Sequence, residues 1–122
     1  MPMTLEQIPV DARPAVEEIR QIGGDELVRE MMGTFVRFAT AHVTRLHDAA
    51  AVGDLESGTT IAHTLKSSAR QLGALHLAEV CASAELAARG GDAGGLLKWS
   101  EEAATAFADA RGWMERLATT AA

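Results

Sequence analysis

Apolar residues recur every three or four positions along most of the chain, which is the period of one face of an α-helix. Glycines interrupt this pattern near residues 23, 53, 73 and 90, and the segments between them are rich in helix-forming residues. No segment shows the alternation of a β-strand. The pattern therefore predicts five helices, at about residues 10–22, 25–51, 54–72, 75–89 and 92–118.

The short connections between these helices predict antiparallel neighbours. We therefore expect an all-α fold, in which the last four helices form an up-down-up-down four-helix bundle and the first is a short N-terminal addition. Asp54 and Asp92 are predicted N-caps, and Gly73 and Gly90 are predicted left-handed helix stops. A chain of 122 residues suffices for one core, so we expect a single domain over residues 1–122 with its core at about 23–118.

The apolar stripes also predict which side of the third and fourth helices faces the core. For the third helix the predicted inward residues are Ile61, Leu65, Ser68 and Leu72. For the fourth helix they are Leu75, Ala78, Ala82 and Leu86, with Cys81 beside them.

Charge and composition exclude several classes of function. A net charge of −6 argues against a nucleic-acid binder or a membrane-surface binder. No apolar run approaches the roughly 18 residues of a membrane span, and the first residues do not resemble an export signal. The lone Cys81 cannot form an internal disulfide, which fits a reducing compartment. These features predict a cytoplasmic protein.

The candidate chemistry lies on the third predicted helix, where a histidine and two cations share one face. With the apolar stripe turned inward, His63, Lys66 and Arg70 project outward, and Ser67 lies beside them. No Asp or Glu occurs from residue 57 to residue 78, although 17 acidic residues in 122 would give about three in such a window. The pattern predicts a nucleophile in a positive field, which suits a phosphoryl group.

Glu85 is the candidate partner of this histidine. A helical hairpin that reverses near residues 73–74 places Glu85 level with His63 on the next helix. The sequence does not fix whether the two side chains face each other. If they do, Glu85 can accept a hydrogen bond from Nδ1–H of His63 and leave Nε2 as an outward nucleophile.

The motif AHTLK at residues 62–66, followed by LGA at residues 72–74, resembles the signature of histidine phosphotransfer (HPt) domains. The resemblance extends over about residues 23–117. It implies that His63 accepts a phosphoryl group at Nε2 from a receiver-domain aspartate and passes it to another receiver, and that Lys66 is the family's lysine. The family often has Glu or Gln at the position of Glu85. Ser67 departs from the family, which usually has Gly there.

These observations together predict a phosphocarrier without kinase activity of its own. The chain has no Gly-rich phosphate loop and no clustered carboxylates for Mg²⁺, so it should have no cofactor and the partner receiver should supply Mg²⁺. Lys66 and Arg70 would stabilise the phosphoryl group, with Ser67 assisting. The expected partners are receiver domains of response regulators and hybrid sensor kinases. The predicted apolar docking residues are Ile19, Ile22 and Met32.

Two alternatives from other classes remain open at this point: a metal-binding bundle and a purely structural dimerisation bundle. The metal-binding hypothesis has little support. His42 and His47 are five residues apart, not the four that would place them on one helix face. The segment His76-x-x-Glu79 occurs once and is reversed relative to a Glu-x-x-His motif. These three histidines are expected to be incidental or packing residues. The initial Met and the lack of an attached kinase or receiver segment suggest a free-standing carrier, and the alternative is a domain of a larger hybrid kinase.

Overall fold

The computed structural model describes residues 5–119; residues 1–4 and 120–122, which belong to the predicted domain 1–122, lie outside the described residues. Two short 3₁₀ turns, Leu5–Gln7 and Val10–Ala12, precede four helices. The helices are α1 (Arg13–Ala51), α2 (Leu55–Gln71), α3 (Leu75–Arg89) and α4 (Ala93–Thr119). Residues 5–119 contain no β-strand. The predicted all-α fold is confirmed, while the exact domain limits stay a prediction.

A kink at Gly24 divides α1 into a short arm, residues 13–23, and a long arm, residues 25–51. Gly24 has φ 73°, a left-handed conformation that costs glycine little and other residues more. Arg20 bridges the kink: its guanidinium donates to Asp25 at 2.7 Å on one side and to Glu17 at 3.0 Å on the other. The two arms correspond to the first two predicted helices, and the short arm is the predicted N-terminal addition.

Both predicted N-caps are present. The Asp54 carboxylate accepts a hydrogen bond from the backbone N–H of Ser57 at 3.1 Å, at the start of α2. The Asp92 carboxylate accepts one from the backbone N–H of Gly95 at 2.8 Å, at the start of α4. Each cap satisfies an N–H group that the first helical turn leaves without a partner.

The left-handed helix stops follow the prediction at one end and differ at the other. Gly73 has φ 87° and ends α2 as predicted. The prediction for Gly90 was wrong: its φ is −82°, and the left-handed residue is Gly91 with φ 76°. The difference arises because two glycines are adjacent, so the chain can reverse at the second one and keep Gly90 close to helical geometry.

A side chain at Gly73 would collide with the second 3₁₀ turn, Val10–Ala12. A Cβ at Gly73 would lie 2.9 Å from the backbone Cα of Ala12, whereas a Cβ at Gly53, with φ 70°, would meet nothing within 4 Å. We expect Gly73→Ala to lower the free energy of unfolding by about 2–4 kcal/mol, and Gly53→Ala by about 1–2 kcal/mol from its φ alone. Urea unfolding of both variants measures this; equal losses would show that contact with Ala12 does not matter.

The four helices pack in a ring in which each contacts its neighbours. Helix α2 packs on α1 and α3, α4 packs on α1 and α3, and the diagonal pair α2 and α4 barely touch. This is the predicted antiparallel up-down-up-down bundle, and it is confirmed. Its largest fully buried side chains include Ile8, Val16, Met32, Leu46, Leu65, Leu77, Leu96 and Met114. None of the helices within residues 5–119 has the length and apolarity to cross a membrane.

The predicted inward face of α2 was nearly right, but that of α3 was largely wrong. In α2, Leu65 and Leu72 are buried, while Ile61 and Ser68 are only half-buried. In α3, Leu86 is 74% exposed and Leu75 and Ala82 are half-buried; of the predicted set only Ala78 is buried. The buried face of α3 consists instead of Leu77, Ala78, Val80, Cys81, Ala84, Glu85 and Ala88. Alanines of α3 lie on most of its sides, so the periodicity of apolar residues does not by itself select a buried face.

Candidate functional site

The candidate site lies where α2 meets α3, and the buried side chain of Glu85 is at its centre. One carboxylate oxygen, Oε1, accepts a hydrogen bond from Nζ of Lys66 at 2.6 Å. The other, Oε2, lies 3.0 Å from Nδ1 of His63 and accepts from Nη2 of Arg89 at 2.7 Å. We call these four residues the Glu85 cluster.

Glu85 stays ionised in the fold because three donors surround it. Its side chain is only 8% exposed, and a buried carboxylate is stable only when it is paired and hydrogen-bonded. The hydrogen bond from Lys66 is the main cause that lowers the pKa of Glu85, and those from His63 and Arg89 lower it further, while burial acts in the opposite direction. The rotation of α3 that buries Glu85 therefore also creates the site.

The contact with Glu85 fixes the orientation and tautomer of the His63 ring. An ionised carboxylate can only accept hydrogen bonds, so Nδ1 of His63 carries the hydrogen that points at Oε2. In the neutral ring the lone pair is then on Nε2. The side chain of His63 is 56% exposed, which leaves the ring accessible to a partner. The contact between His63 and Glu85, which the hairpin geometry allowed but did not fix, is therefore present.

The other predicted site residues divide into two groups. Lys66 is half-buried, and its ammonium is bound to Glu85. Ser67 and Arg70 are exposed on the outward face of α2 but do not join the Glu85 cluster. Arg70 lies seven residues after His63, about 10 Å along the helix axis. Its role in stabilising a phosphoryl group stays a prediction, as do the roles of the other site residues.

Arg89 belongs to the site but was missed by the sequence analysis. It follows Glu85 by four residues on the same helix, the spacing at which side chains of opposite charge meet. That spacing was visible in the sequence once Glu85 had been placed opposite His63. The acid-free window from residue 57 to residue 78 covers α2 but only the start of α3, whereas the structure adds an acid and a further cation from later in α3.

Cys81 and the other three histidines lie away from the Glu85 cluster. Cys81 is fully buried, and burial raises the pKa of its thiol to about 12, so it is not a reactive thiolate. His42 stacks on Phe38 with 3.8 Å between ring centroids, and His47 and His76 are exposed. Across residues 5–119, no group of three or more His, Cys, Asp or Glu side chains is arranged to hold a metal ion.

The predicted docking residues were partly wrong. Ile22 is 75% exposed, but Ile19 and Met32 are buried, because the short arm of α1 and the first turns of its long arm pack on the core. A groove of about 300 Å³ between α1 and the C-terminal part of α2 instead offers accessible surface. Its lining includes Leu27, Glu30, Met31, Thr34, Ser68 and Gln71.

Two comparisons with known proteins agree on a family. A family model described as the Hpt domain matches residues 30–120. Among solved structures, the chain is similar to histidine-containing phosphotransfer protein B (HptB) from Pseudomonas aeruginosa PAO1. The two share 25% sequence identity and superpose with a TM-score of 0.82, over 89% of this chain and 94% of that one. No curated protein sequence matches the chain significantly.

Proposed function

The chain belongs to the Hpt domain family, whose members carry out histidine phosphotransfer in phosphorelays, and from this premise we propose that His63 is the residue that carries the phosphoryl group. The observation that carries the proposal is the exposed ring of His63 with Nδ1 held by the buried carboxylate of Glu85 at 3.0 Å. That contact leaves Nε2 as the ring nitrogen able to attack phosphorus.

The proposed step is an exchange between an aspartyl phosphate and the histidine. The lone pair of His63 Nε2 attacks the phosphorus atom, the bond from phosphorus to the receiver's carboxylate oxygen breaks, and the electron pair returns to that carboxylate. The imidazole becomes positively charged, and Glu85 faces that charge through Nδ1–H. Transfer to the next receiver reverses these events. The chain thus acts as a phosphocarrier that needs no kinase activity of its own.

Positive charge around His63 supports this step. Phosphoryl transfer depends mainly on positioning and on neutralising the charge of the equatorial oxygens. Lys66 provides an ammonium one helical turn from His63, and Arg70 adds a guanidinium on the same face of α2. Ser67, small and exposed beside them, can donate a hydrogen bond and leaves room for a partner's backbone. We assign the required Mg²⁺ to the receiver.

The partners that fit this surface are receiver domains, which we expect to belong to response regulators and hybrid sensor kinases in the cytoplasm. The apolar groove between α1 and α2 shares α2 with His63, beginning five residues further along that helix at Ser68, and provides a docking surface. Leu27 and Met31 are half-buried in that groove, so each has apolar surface left to cover. Covering such surface would favour association.

The experiment that tests the proposed function maps the site of phosphorylation. The protein is mixed with a receiver that carries a radiolabelled aspartyl phosphate, and the labelled chain is then isolated and fragmented. We expect a label that is lost in acid and kept in alkali, as a phosphoramidate is, on the fragment that contains His63. Label on another fragment, or no transfer from any receiver of the source organism, would contradict the proposal.

A further inference from the structure

Arg89 and His63 share one oxygen atom of Glu85, and this sharing has a chemical consequence. Nη2 of Arg89 lies 2.7 Å from Oε2, and Nδ1 of His63 lies 3.0 Å from the same atom. Among the described residues, Lys66 alone donates a hydrogen bond to the other oxygen, Oε1. Arg89 is the most exposed member of the cluster, with 62% of its side chain accessible. Its side chain therefore contributes little to the packing of the core.

The hold of Glu85 on the Nδ1 proton matters most once the histidine is phosphorylated. When the phosphoryl group departs, the bond between Nε2 and phosphorus breaks and its electron pair returns to Nε2. If Nδ1 is protonated, the ring leaves as neutral imidazole, whereas without that proton it would leave as an imidazolate, a far poorer leaving group. A nearby carboxylate favours the protonated ring, and a nearby cation opposes it. The balance of charges around Nδ1 therefore sets how readily the phosphoryl group is lost.

The charged groups that face His63 come from two helices. Glu85 and Arg89 belong to α3, and Lys66 belongs to the same helix as His63. Within residues 5–119, no side chain of α1 or α4 makes a hydrogen bond or ion pair with this cluster. Arg89 is thus the one cation that competes directly with Nδ1–H for Oε2 among these groups.

We infer that Arg89 is a positioning residue that weakens the hold of Glu85 on His63 and thereby lengthens the lifetime of the phosphohistidine. The inference rests on the proposed function and deepens it, since it assigns control of the rate of phosphoryl release to a side chain that acts through Glu85. When Arg89 is present, Oε2 accepts hydrogen bonds from both Arg89 and Nδ1–H, and its bond to Nδ1–H is weaker. The phosphorylated ring then loses its Nδ1 proton more easily and retains its phosphoryl group longer.

The test follows loss of label from isolated phosphoprotein over a range of pH. We expect Arg89→Gln to shorten the lifetime of the label about two- to fivefold, the size of effect typical of a charge pair whose cation is exposed to solvent. The pH at which hydrolysis slows should move upward, because the phosphorylated ring keeps its proton to higher pH. Arg89→Lys should restore part of the lifetime. Arg111→Gln is the matched control, since Arg111 pairs with Glu115 at the same four-residue spacing on α4, but with both side chains about half exposed and far from a buried carboxylate.

A double-variant cycle separates this role from direct contact with the phosphoryl group. In a Glu85→Gln background, Arg89→Gln should change the lifetime no further, because the shared carboxylate is gone. An unchanged or longer lifetime in Arg89→Gln, or an equal effect in both backgrounds, would overturn the inference. If His63 takes up no label at all, the proposed function fails instead. The Nδ1 proton of unphosphorylated His63, observed by NMR, then tests the contact by itself: slower exchange with water in Arg89→Gln supports the weakening of the Glu85–His63 hydrogen bond by Arg89, and unchanged or faster exchange overturns it.

Discussion

Replacing His63 by glutamine will reduce phosphoryl acceptance from a labelled receiver to the background of the assay. Glutamine has no nucleophilic nitrogen, because its amide lone pair is delocalised, so the covalent intermediate cannot form. The fold should survive, since His63 is 56% exposed and the amide of glutamine can still donate to Glu85. We expect the free energy of unfolding to change by less than about 1 kcal/mol. Label transfer and urea unfolding measured on the same preparation separate chemistry from stability.

The matched controls for this variant are the exposed histidines on other helix faces. His47 lies on α1 and His76 on α3, and both are exposed like His63. His47→Gln and His76→Gln should accept label at the rate of the unsubstituted protein, because neither residue contacts the Glu85 cluster. Label that persists in His63→Gln would place the phosphoryl group elsewhere and remove the basis of the proposed function.

Replacing Glu85 by alanine will weaken both the fold and the transfer reaction. The change leaves the half-buried ammonium of Lys66 without its partner at 2.6 Å, which costs about 1–3 kcal/mol of unfolding free energy. His63 and Arg89 are more than half exposed, so water screens their share of this loss. Transfer should slow about 10- to 100-fold, the loss seen when a carboxylate that orients a metal-binding histidine is removed.

Two further substitutions make this result specific. Glu85→Gln keeps an oxygen that can accept from Nδ1–H but removes the charge, so its effects should lie between those of the unsubstituted protein and Glu85→Ala. Glu115→Ala removes an acid of the same type from an exposed pair on α4 and should alter neither property appreciably. Stability and transfer rate in Glu85→Ala that match those of Glu115→Ala would show that the cluster does not orient His63.

The stability of the protein should also depend on pH through Glu85. Its pKa in the folded protein is lowered, chiefly by the hydrogen bond from Lys66, from an ordinary value of 4.5. The unfolded chain therefore binds the proton more tightly than the folded one. The stabilising contribution is complete above the ordinary value and is lost as pH falls through the lowered one. Urea unfolding from about pH 7 to about pH 3 should show this loss, and Glu85→Gln should lack that part of it. An identical decline in both proteins would contradict the assignment.

Much of the fold was determined by local features of the sequence. Helix positions follow from apolar periodicity and from glycine breaks, and both depend only on residues close together in the chain. The caps at Asp54 and Asp92 and the left-handed turn at Gly73 belong to the same class of local signals. The outward direction of His63 was also predictable, because the apolar side of α2 is distinct enough to fix its rotation.

The rotation of α3 was decided only by tertiary packing, and with it the composition of the site. Because alanine lies on most sides of α3, burying Leu86 or burying Cys81 and Glu85 is equally compatible with the sequence pattern. Packing against α2 and α4 selects the second arrangement, in which the carboxylate of Glu85 meets Lys66 and His63. By itself, the sequence specified the helices and the histidine; the partners of that histidine depend on contacts between helices distant in the chain, which no local pattern encodes.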